Sequence, residues 1–141
     1  MKVVSNTSPI IFLSKIEALD LLPQCFDQVM IPPAVSNELG DLLPPKYIEH
    51  TSISIAGQHF VKGALDMRRS LHIGELEAMV LAQETQANYV ILDDKLARRK
   101  AQLMDLNVIG TIGVLLLAHQ QKLILTATIQ EHLAIKVAIN P

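Results

Sequence analysis

Short apolar segments alternate with helix-like segments along most of the chain, and this alternation restricts the fold more than any other feature. Strands are predicted at Lys2–Ser5, Gln28–Ile31, Ser52–Ile55, Tyr89–Leu92 and Asn107–Ile109. Strands that alternate with helices form a parallel sheet covered by helices on both faces. The sequence therefore predicts an α/β protein with three layers, α/β/α.

The segments between these strands carry signals that start and stop helices. Ser8-Pro9 and Pro32-Pro33 place proline in a first helical turn, and Gly40 is suited to end a helix. The predicted helices begin at Ser8-Pro9, with a further turn at Ala18–Leu22 before Pro23, and then run through Pro33–Leu39, Phe60–Arg69, Glu75–Gln86, Lys95–Met104, Ile112–His119 and Thr126–Val137.

The length and composition favour one folded domain over residues 1–141. Half of the 141 residues are hydrophobic and 18% are charged, a balance that excludes a disordered chain. An apolar surplus in a small protein often lies in a contact between copies of the chain. We therefore expect the protein to associate with itself, although buried parallel strands would also absorb much of this surplus.

Charge and cysteine content restrict the location and the partners. The net charge of −2 provides no general basic character, so nucleic-acid binding would need a local basic patch. The single cysteine, Cys25, cannot form an internal disulfide. The N-terminus does not resemble a signal peptide, and the longest apolar run is far below the ~20 residues of a membrane span. We expect a cytoplasmic protein with no membrane contact.

Polar residues stand where a parallel sheet would bring them together. Asn6 follows the first predicted strand, and Asp93-Asp94 follow the fourth. In an open parallel sheet, ligands bind at the carboxyl ends of strands where the winding reverses. If the sheet has the order 3-2-1-4-5, the first and fourth strands are neighbours. Glu75 and Glu38, on the helices beside these strands, would then face the same edge.

A group of carboxylates predicts a divalent cation. Crowded carboxylates repel one another unless a cation neutralises them, and oxygen ligands favour Mg²⁺ or Mn²⁺ over Zn²⁺. The metal ligands predicted from this pattern are Glu38, Glu75, Asp93 and Asp94, and the predicted catalytic set is Asn6, Glu38, Glu75 and Asp94. Helix capping is the alternative explanation for Glu75, Asp93 and Asp94.

Basic residues follow the aspartate pair. Lys95, Arg98 and Arg99 lie on one predicted helix, and Arg68-Arg69 precede Gly74. Such residues beside a metal site are suited to bind the phosphates of a nucleic acid, although a solvated helix face explains them almost as well. The hypothesis assigns Lys95, Arg98 and Arg99 to substrate binding. The five histidines show no spacing typical of metal ligands.

Four stretches of the sequence resemble the PIN-domain family. They are V-V-S-N-T-S-P-I-I from Val3, I-P-P-A-V-S-N-E-L from Ile31, G-E-L-E-A from Gly74 and V-I-L-D-D-K-L-A-R from Val90. The likeness covers nearly the whole chain in the same order. It is greatest to PIN-like proteins related to the VapC-type toxins of toxin–antitoxin modules.

This resemblance implies a Mg²⁺- or Mn²⁺-dependent ribonuclease with a 3-2-1-4-5 sheet, often dimeric and held inactive by an antitoxin. Asn6 stands where the family usually has its first metal-binding aspartate, and it brings no charge. By position, the resemblance assigns the other acids of the site to Glu38, Glu75 and Asp94 or Asp93, with Ser8 as a supporting hydroxyl residue. The alternative is a PIN-like domain with weakened or lost catalysis that binds RNA or an antitoxin.

Two other α/β classes fit poorly. A phosphoacceptor receiver domain needs an acidic pair after the first strand and a lone aspartate after the third. A phosphatase of the haloacid dehalogenase type needs D-x-D after the first strand, where this chain has Asn6-Thr7-Ser8.

Overall fold

The computed structural model describes residues 1–42, 44–67 and 71–121, which form five strands and seven helices. The strands are β1 (Lys2–Ser5), β2 (Gln28–Ile31), β3 (Ile48–His50), β4 (Tyr89–Ile91) and β5 (Val108–Ile109). The helices are α1 (Thr7–Lys15), α2 (Leu21–Cys25), α3 (Pro33–Leu39), α4 (Ile55–Met67), α5 (Ile73–Glu84), α6 (Lys95–Leu103) and α7 (Thr111–Gln120).

The strands form one parallel sheet in the order β3-β2-β1-β4-β5. The central strand, β1, pairs with both β2 and β4, so that Val3 lies opposite Val29 on one side and Tyr89 on the other. This order confirms the predicted 3-2-1-4-5 arrangement. It also makes β1 and β4 neighbours, with their carboxyl ends at the same edge.

Helices cover both faces of the sheet, which confirms the three-layer fold. Because successive strand residues point to opposite faces, Val3 and Val4 belong to two different clusters of buried side chains. The cluster with Val3 includes residues of α1, α2, α3 and α7, and the cluster with Val4 includes residues of α4, α5 and α6. Asn6, the first residue of the predicted site, comes directly after the buried strand β1.

The third strand was predicted in the wrong place, since β3 is Ile48–His50 and not Ser52–Ile55. Ile48 pairs with Val29 at the edge of the sheet, and it is the one buried residue of this strand. An edge strand with one buried side chain shows little alternation in the sequence. Ile53 gave the misleading signal, because it is buried against the helices and lies outside any strand.

Several helix boundaries also differ from the prediction. α4 begins at Ile55, five residues before the predicted Phe60, and the hydroxyl of Ser54 accepts a hydrogen bond from the Gly57 N–H at its start. Pro23 lies inside the first turn of α2 and does not follow a helix there. Proline is tolerated in a first turn because its missing N–H would have no partner inside the helix.

Other predictions agree closely with the structure or lie outside its described part. α5 starts two residues before the predicted Glu75, and α1 starts one residue before Ser8. The predicted helix Thr126–Val137 and the pair Arg68-Arg69 lie outside the described residues. Within the described ranges, no helix is long and apolar enough to cross a membrane.

Candidate active site

Asn6 lies at the junction of β1 and α1, at the carboxyl edge of the sheet. Its N–H donates to the carbonyl oxygen of Ile91 at 3.2 Å, which fixes the end of β1 beside the end of β4. Asn6 is the N-cap residue of α1, but its side chain does not bond to the helix. Asn6 is 9% exposed and lines the pocket described below.

Glu38 reaches the same edge from α3. It is exposed, and its Oε2 accepts a hydrogen bond from the Thr7 hydroxyl at 2.5 Å. Gly74 leaves room for this carboxylate, because a Cβ atom on Gly74 would lie 2.8 Å from Glu38 Oε1 and 3.3 Å from Asn6 Oδ1. The missing side chain at Gly74 therefore allows Glu38 and Asn6 to approach the start of α5.

Glu75 is the buried carboxylate of the group, with 3% of its surface exposed. Its Oε1 accepts the His72 N–H at 3.2 Å, and its Oε2 is buried with no hydrogen-bond partner among the described residues. Burial raises the pKa of Glu75, and the nearby charges of Asp94 and Glu38 raise it further, against the lowering effect of the His72 N–H. An orphaned buried carboxylate oxygen costs free energy, so it marks a position suited to a ligand.

The two aspartates after β4 differ in their contacts. Asp94 is exposed, caps α6, and accepts the Ala97 N–H through Oδ2 at 2.9 Å. Asp93 accepts the Thr111 N–H through Oδ1 at 2.8 Å and the Thr111 hydroxyl through Oδ2 at 2.5 Å. Asp93 therefore uses both oxygens to hold the start of α7, whereas Asp94 uses one.

These residues surround one open pocket of about 430 Å³ at the carboxyl edge of the sheet. The pocket is lined by Asn6, Ser8, Glu38, His72, Glu75, Asp93 and Asp94. The structure thus brings together all six residues predicted for the site from the sequence. Lys95, Arg98 and Arg99 do not line this pocket, although Arg98 lines a groove next to it.

Four contributors to the site were missed by the sequence analysis. His72 lines the pocket, Thr7 bonds to Glu38, Gly74 makes room for Glu38, and Thr111 bonds to Asp93. Thr7 and His72 each stand next to a helix start, which offered a weak signal. The partner of Thr111 is 18 residues away along the chain, and no local pattern indicates such a pair.

The candidate ligand atoms are carboxylate and amide oxygens, which are the atoms that bind a hard cation. In the described part of the protein, Glu38, Glu75 and Asp94 each accept a hydrogen bond through one carboxylate oxygen only, so the second oxygen can bind a ligand. In the described ranges, no three Asp, Glu, His or Cys side chains stand close enough together to hold a metal as they are placed. Glu38 and Asp94 are exposed, so they can change rotamer towards the fixed Glu75 without disturbing the core.

A parallel sheet in this order places an acidic pocket at the reversal of its winding, where open α/β sheets bind their ligands. A family model described as a PIN domain matches residues 2–135. The chain therefore belongs to the PIN-domain family, whose members are generally nuclease-like and generally use divalent metal ions. No curated protein was found to match the chain. The family resemblance seen in the sequence is confirmed, and its VapC-type refinement stays a prediction.

Proposed function

We propose that this PIN-domain protein is a metal-dependent endoribonuclease that resembles the toxin of a VapBC-type module. The observation that carries the proposal is the buried Oε2 of Glu75, which has no hydrogen-bond partner among the described residues. Glu75 shares its pocket with the carboxylates of Glu38 and Asp94. Three carboxylates would repel an RNA phosphodiester as strongly as they repel one another. A cation that neutralises them makes the pocket able to accept that substrate.

Glu38, Glu75 and Asp94 would hold Mg²⁺ or Mn²⁺ through their remaining oxygens, with the Asn6 amide oxygen as a neutral ligand. A bound divalent ion would lower the pKa of a water and stabilise negative charge on the phosphate. Asp93 is the weaker candidate ligand, because both of its oxygens already accept hydrogen bonds from Thr111. Ser8 brings a hydroxyl to the rim of the pocket.

Hydrogen bonds within the protein hold three carboxylates of the site. Glu75 is held in the first turn of α5 by the His72 N–H, and Asp94 is held at the start of α6 by the Ala97 N–H. The Thr7 hydroxyl holds Glu38. Each contact restrains one oxygen of a carboxylate. Because Glu38 and Asp94 are exposed, a change of rotamer towards the buried Glu75 would bring their carboxylates to a shared cation.

A homodimer and an antitoxin partner belong to the same proposal. Large apolar residues are exposed on α4 and α6, with Ile55 at 73% and Met67 at 87% on α4 and Leu103 at 74% on α6. Exposed apolar surface of this kind is typical of protein contacts. We propose that such surface supports self-association or antitoxin binding, in a protein that works in the cytoplasm.

A second candidate function is a PIN domain that binds RNA or an antitoxin without cutting RNA. Asn6 favours this candidate, because an amide in place of the usual aspartate removes one negative charge from the metal site. The separation of the carboxylates as placed also favours it. The two candidates differ in whether metal binding produces cleavage.

The test is an RNA cleavage assay with purified protein, varied single-stranded RNAs, and Mn²⁺ or Mg²⁺. We expect cleavage that requires the metal, stops with a chelator, and is lost in Glu75→Gln. Glu84→Gln is the matched control, since Glu84 lies on the same helix but bonds to Ser54, far from the pocket. We expect this control to cut RNA as well as the unaltered protein does.

The outcomes separate the two candidates. Metal-dependent cleavage in the unaltered protein and in Glu84→Gln, with none in Glu75→Gln, supports the ribonuclease. If the folded protein binds Mn²⁺ and RNA but leaves every RNA intact, the nuclease proposal fails and the binding function replaces it.

A further inference from the structure

A second polar groove adjoins the acidic pocket. It has a volume of about 590 Å³ and lies between α6 and the turn that joins β5 to α7. We call it the α6–α7 groove, and it is lined by Asp93, Arg98, Val108–Gly110, Ile112 and Gly113. Asp93 is common to the pocket and the groove, so one residue separates them.

The main chain forms part of the groove wall. A Cβ atom on Gly110 would lie 3.1 Å from Asp93 Oδ1 and 3.5 Å from Arg98 Nη1, and one on Gly113 would lie 2.6 Å from a carbon of Ile109. A side chain at Gly113 would therefore collide with Ile109. The absence of a side chain at Gly110 lets the Arg98 guanidinium lie close to the turn, above the start of α7.

The charges of the groove suit a phosphate. Arg98 is its cationic residue and is exposed to solvent. Asp93 is its anionic residue, but both carboxylate oxygens accept hydrogen bonds from Thr111, which reduces its repulsion of a second anion. Ile112, 40% exposed, and Val108 add an apolar wall of the kind that contacts a ribose or a base.

We propose that the α6–α7 groove is a subsite for one nucleotide of single-stranded RNA, next to the nucleotide whose phosphate lies in the acidic pocket. Arg98 binds the phosphate of that neighbouring nucleotide. The inference rests on the proposed function for its substrate, RNA. A chain of repeating phosphates can occupy the pocket and the groove together, because Asp93 alone lies between them.

The residues that line the groove also indicate that the subsite does not recognise the identity of the base. Apart from Asp93 and Arg98, the side chains of the groove are apolar or absent, so they offer no hydrogen bonds to the edges of a base. The subsite therefore contributes affinity and strand position with little preference among the four bases.

The test measures binding of fluorescent single-stranded oligoribonucleotides in the Glu75→Gln background, which prevents cleavage. Arg98→Gln should raise the Kd about tenfold for all four homopolymers, and it should reduce the slope of log K against log salt by about 0.7, the value for one phosphate contact on a single strand. Lys62→Gln removes one exposed positive charge from α4, outside the groove, and should change the Kd less than twofold.

A second pair of variants tests the apolar wall without removing a cation. Ile112→Asp adds a negative charge inside the groove, whereas Leu116→Asp adds the same charge to the same helix outside the groove. Ile112 is 40% exposed and Leu116 is 48% exposed, so neither change disturbs the core. We expect weaker RNA binding in Ile112→Asp only.

The proposal of a subsite is wrong if Arg98→Gln binds RNA as tightly as the parent Glu75→Gln protein does, or if Arg99→Gln weakens RNA binding as much as Arg98→Gln does. It is also wrong if the parent protein binds no RNA. The first two results, together with metal-dependent cleavage by the unaltered protein, would reject the groove and keep the nuclease. Arg98-dependent binding without any cleavage would keep the groove and reject the nuclease.

Discussion

Gly74 offers a sharp test of whether the position of Glu38 matters, because a methyl group at this residue reaches the site and little else. In Gly74→Ala the new Cβ would lie 2.8 Å from Glu38 Oε1, closer than Cβ atoms approach other atoms. The Glu38 carboxylate is the end of an exposed, flexible side chain, so it can move away. Moving it breaks the hydrogen bond from the Thr7 hydroxyl.

The expected change in stability is small because two effects oppose each other. Loss of the Thr7–Glu38 hydrogen bond at the surface costs about 1 kcal/mol. Alanine in place of glycine in a helix gains roughly 0.5–1 kcal/mol. We therefore expect the free energy of unfolding of Gly74→Ala to lie within about 1 kcal/mol of the unaltered value. Cleavage and Mn²⁺ binding should nevertheless fall at least about tenfold, which corresponds to ~1.4 kcal/mol.

Urea unfolding measures the free energy of unfolding. The Mn²⁺-induced rise in Tm measures Mn²⁺ binding, and the cleavage rate measures activity. Gly63→Ala is the control, because Gly63 lies inside α4 and, among the described residues, an added Cβ would meet nothing within 4 Å beyond the backbone of its own helix. It should gain stability and keep full Mn²⁺ binding. A Gly74→Ala protein that binds Mn²⁺ as tightly as Gly63→Ala would refute the importance of the Glu38 position.

Three further changes have distinct expected results. Asn6→Asp restores a negative charge to the pocket and should raise Mn²⁺-dependent RNA cleavage about tenfold or more; an unchanged low rate in a cleavage time course would contradict this. Burial raises the pKa of Glu75, so the ionised carboxylate destabilises the folded, metal-free protein at pH values above that pKa. This destabilisation is lost as the pH falls. Glu75→Gln should therefore raise the Tm at neutral pH without metal, and this gain should shrink on acidification in thermal melts. Glu77 accepts the Ala34 N–H at the start of α3, so Glu77→Ala should cost about 1–3 kcal/mol in urea unfolding, and Glu77→Gln, which keeps an acceptor, clearly less.

The sheet order was predictable because its signals are local. Three valine-rich or isoleucine-rich strands are buried, and the residues that follow two of them, Asn6 and Asp93-Asp94, are polar. Once β1 and β4 are neighbours, the position of Glu75 in the first turn of α5 follows from the direction of that helix. The PIN-family resemblance supported the same arrangement.

The third strand and the partners of the acids were not predictable in this way. Ile48 and Ile53 are both buried, and the sequence does not show that the first pairs with β2 while the second packs against helices. Likewise, Thr111 is bonded to Asp93 only because β4 and β5 are neighbours in the sheet. Such contacts depend on the tertiary structure, which a local pattern does not contain.

Helix capping and ligand binding are not exclusive roles for a carboxylate, because it has two oxygens. Asp94 caps α6 with Oδ2 and still lines the pocket. Glu75 accepts the His72 N–H with Oε1, and its Oε2 has no partner within the described ranges. Asp93 differs from both, since each of its oxygens is already bonded to Thr111. Asp93 therefore offers a cation fewer lone pairs than Asp94 does, which separates two adjacent aspartates that the sequence could not distinguish. On this basis Asp93→Asn should mainly reduce stability, whereas Asp94→Asn should mainly weaken Mn²⁺ binding, and equal losses of Mn²⁺ binding in a calorimetric titration would contradict that division.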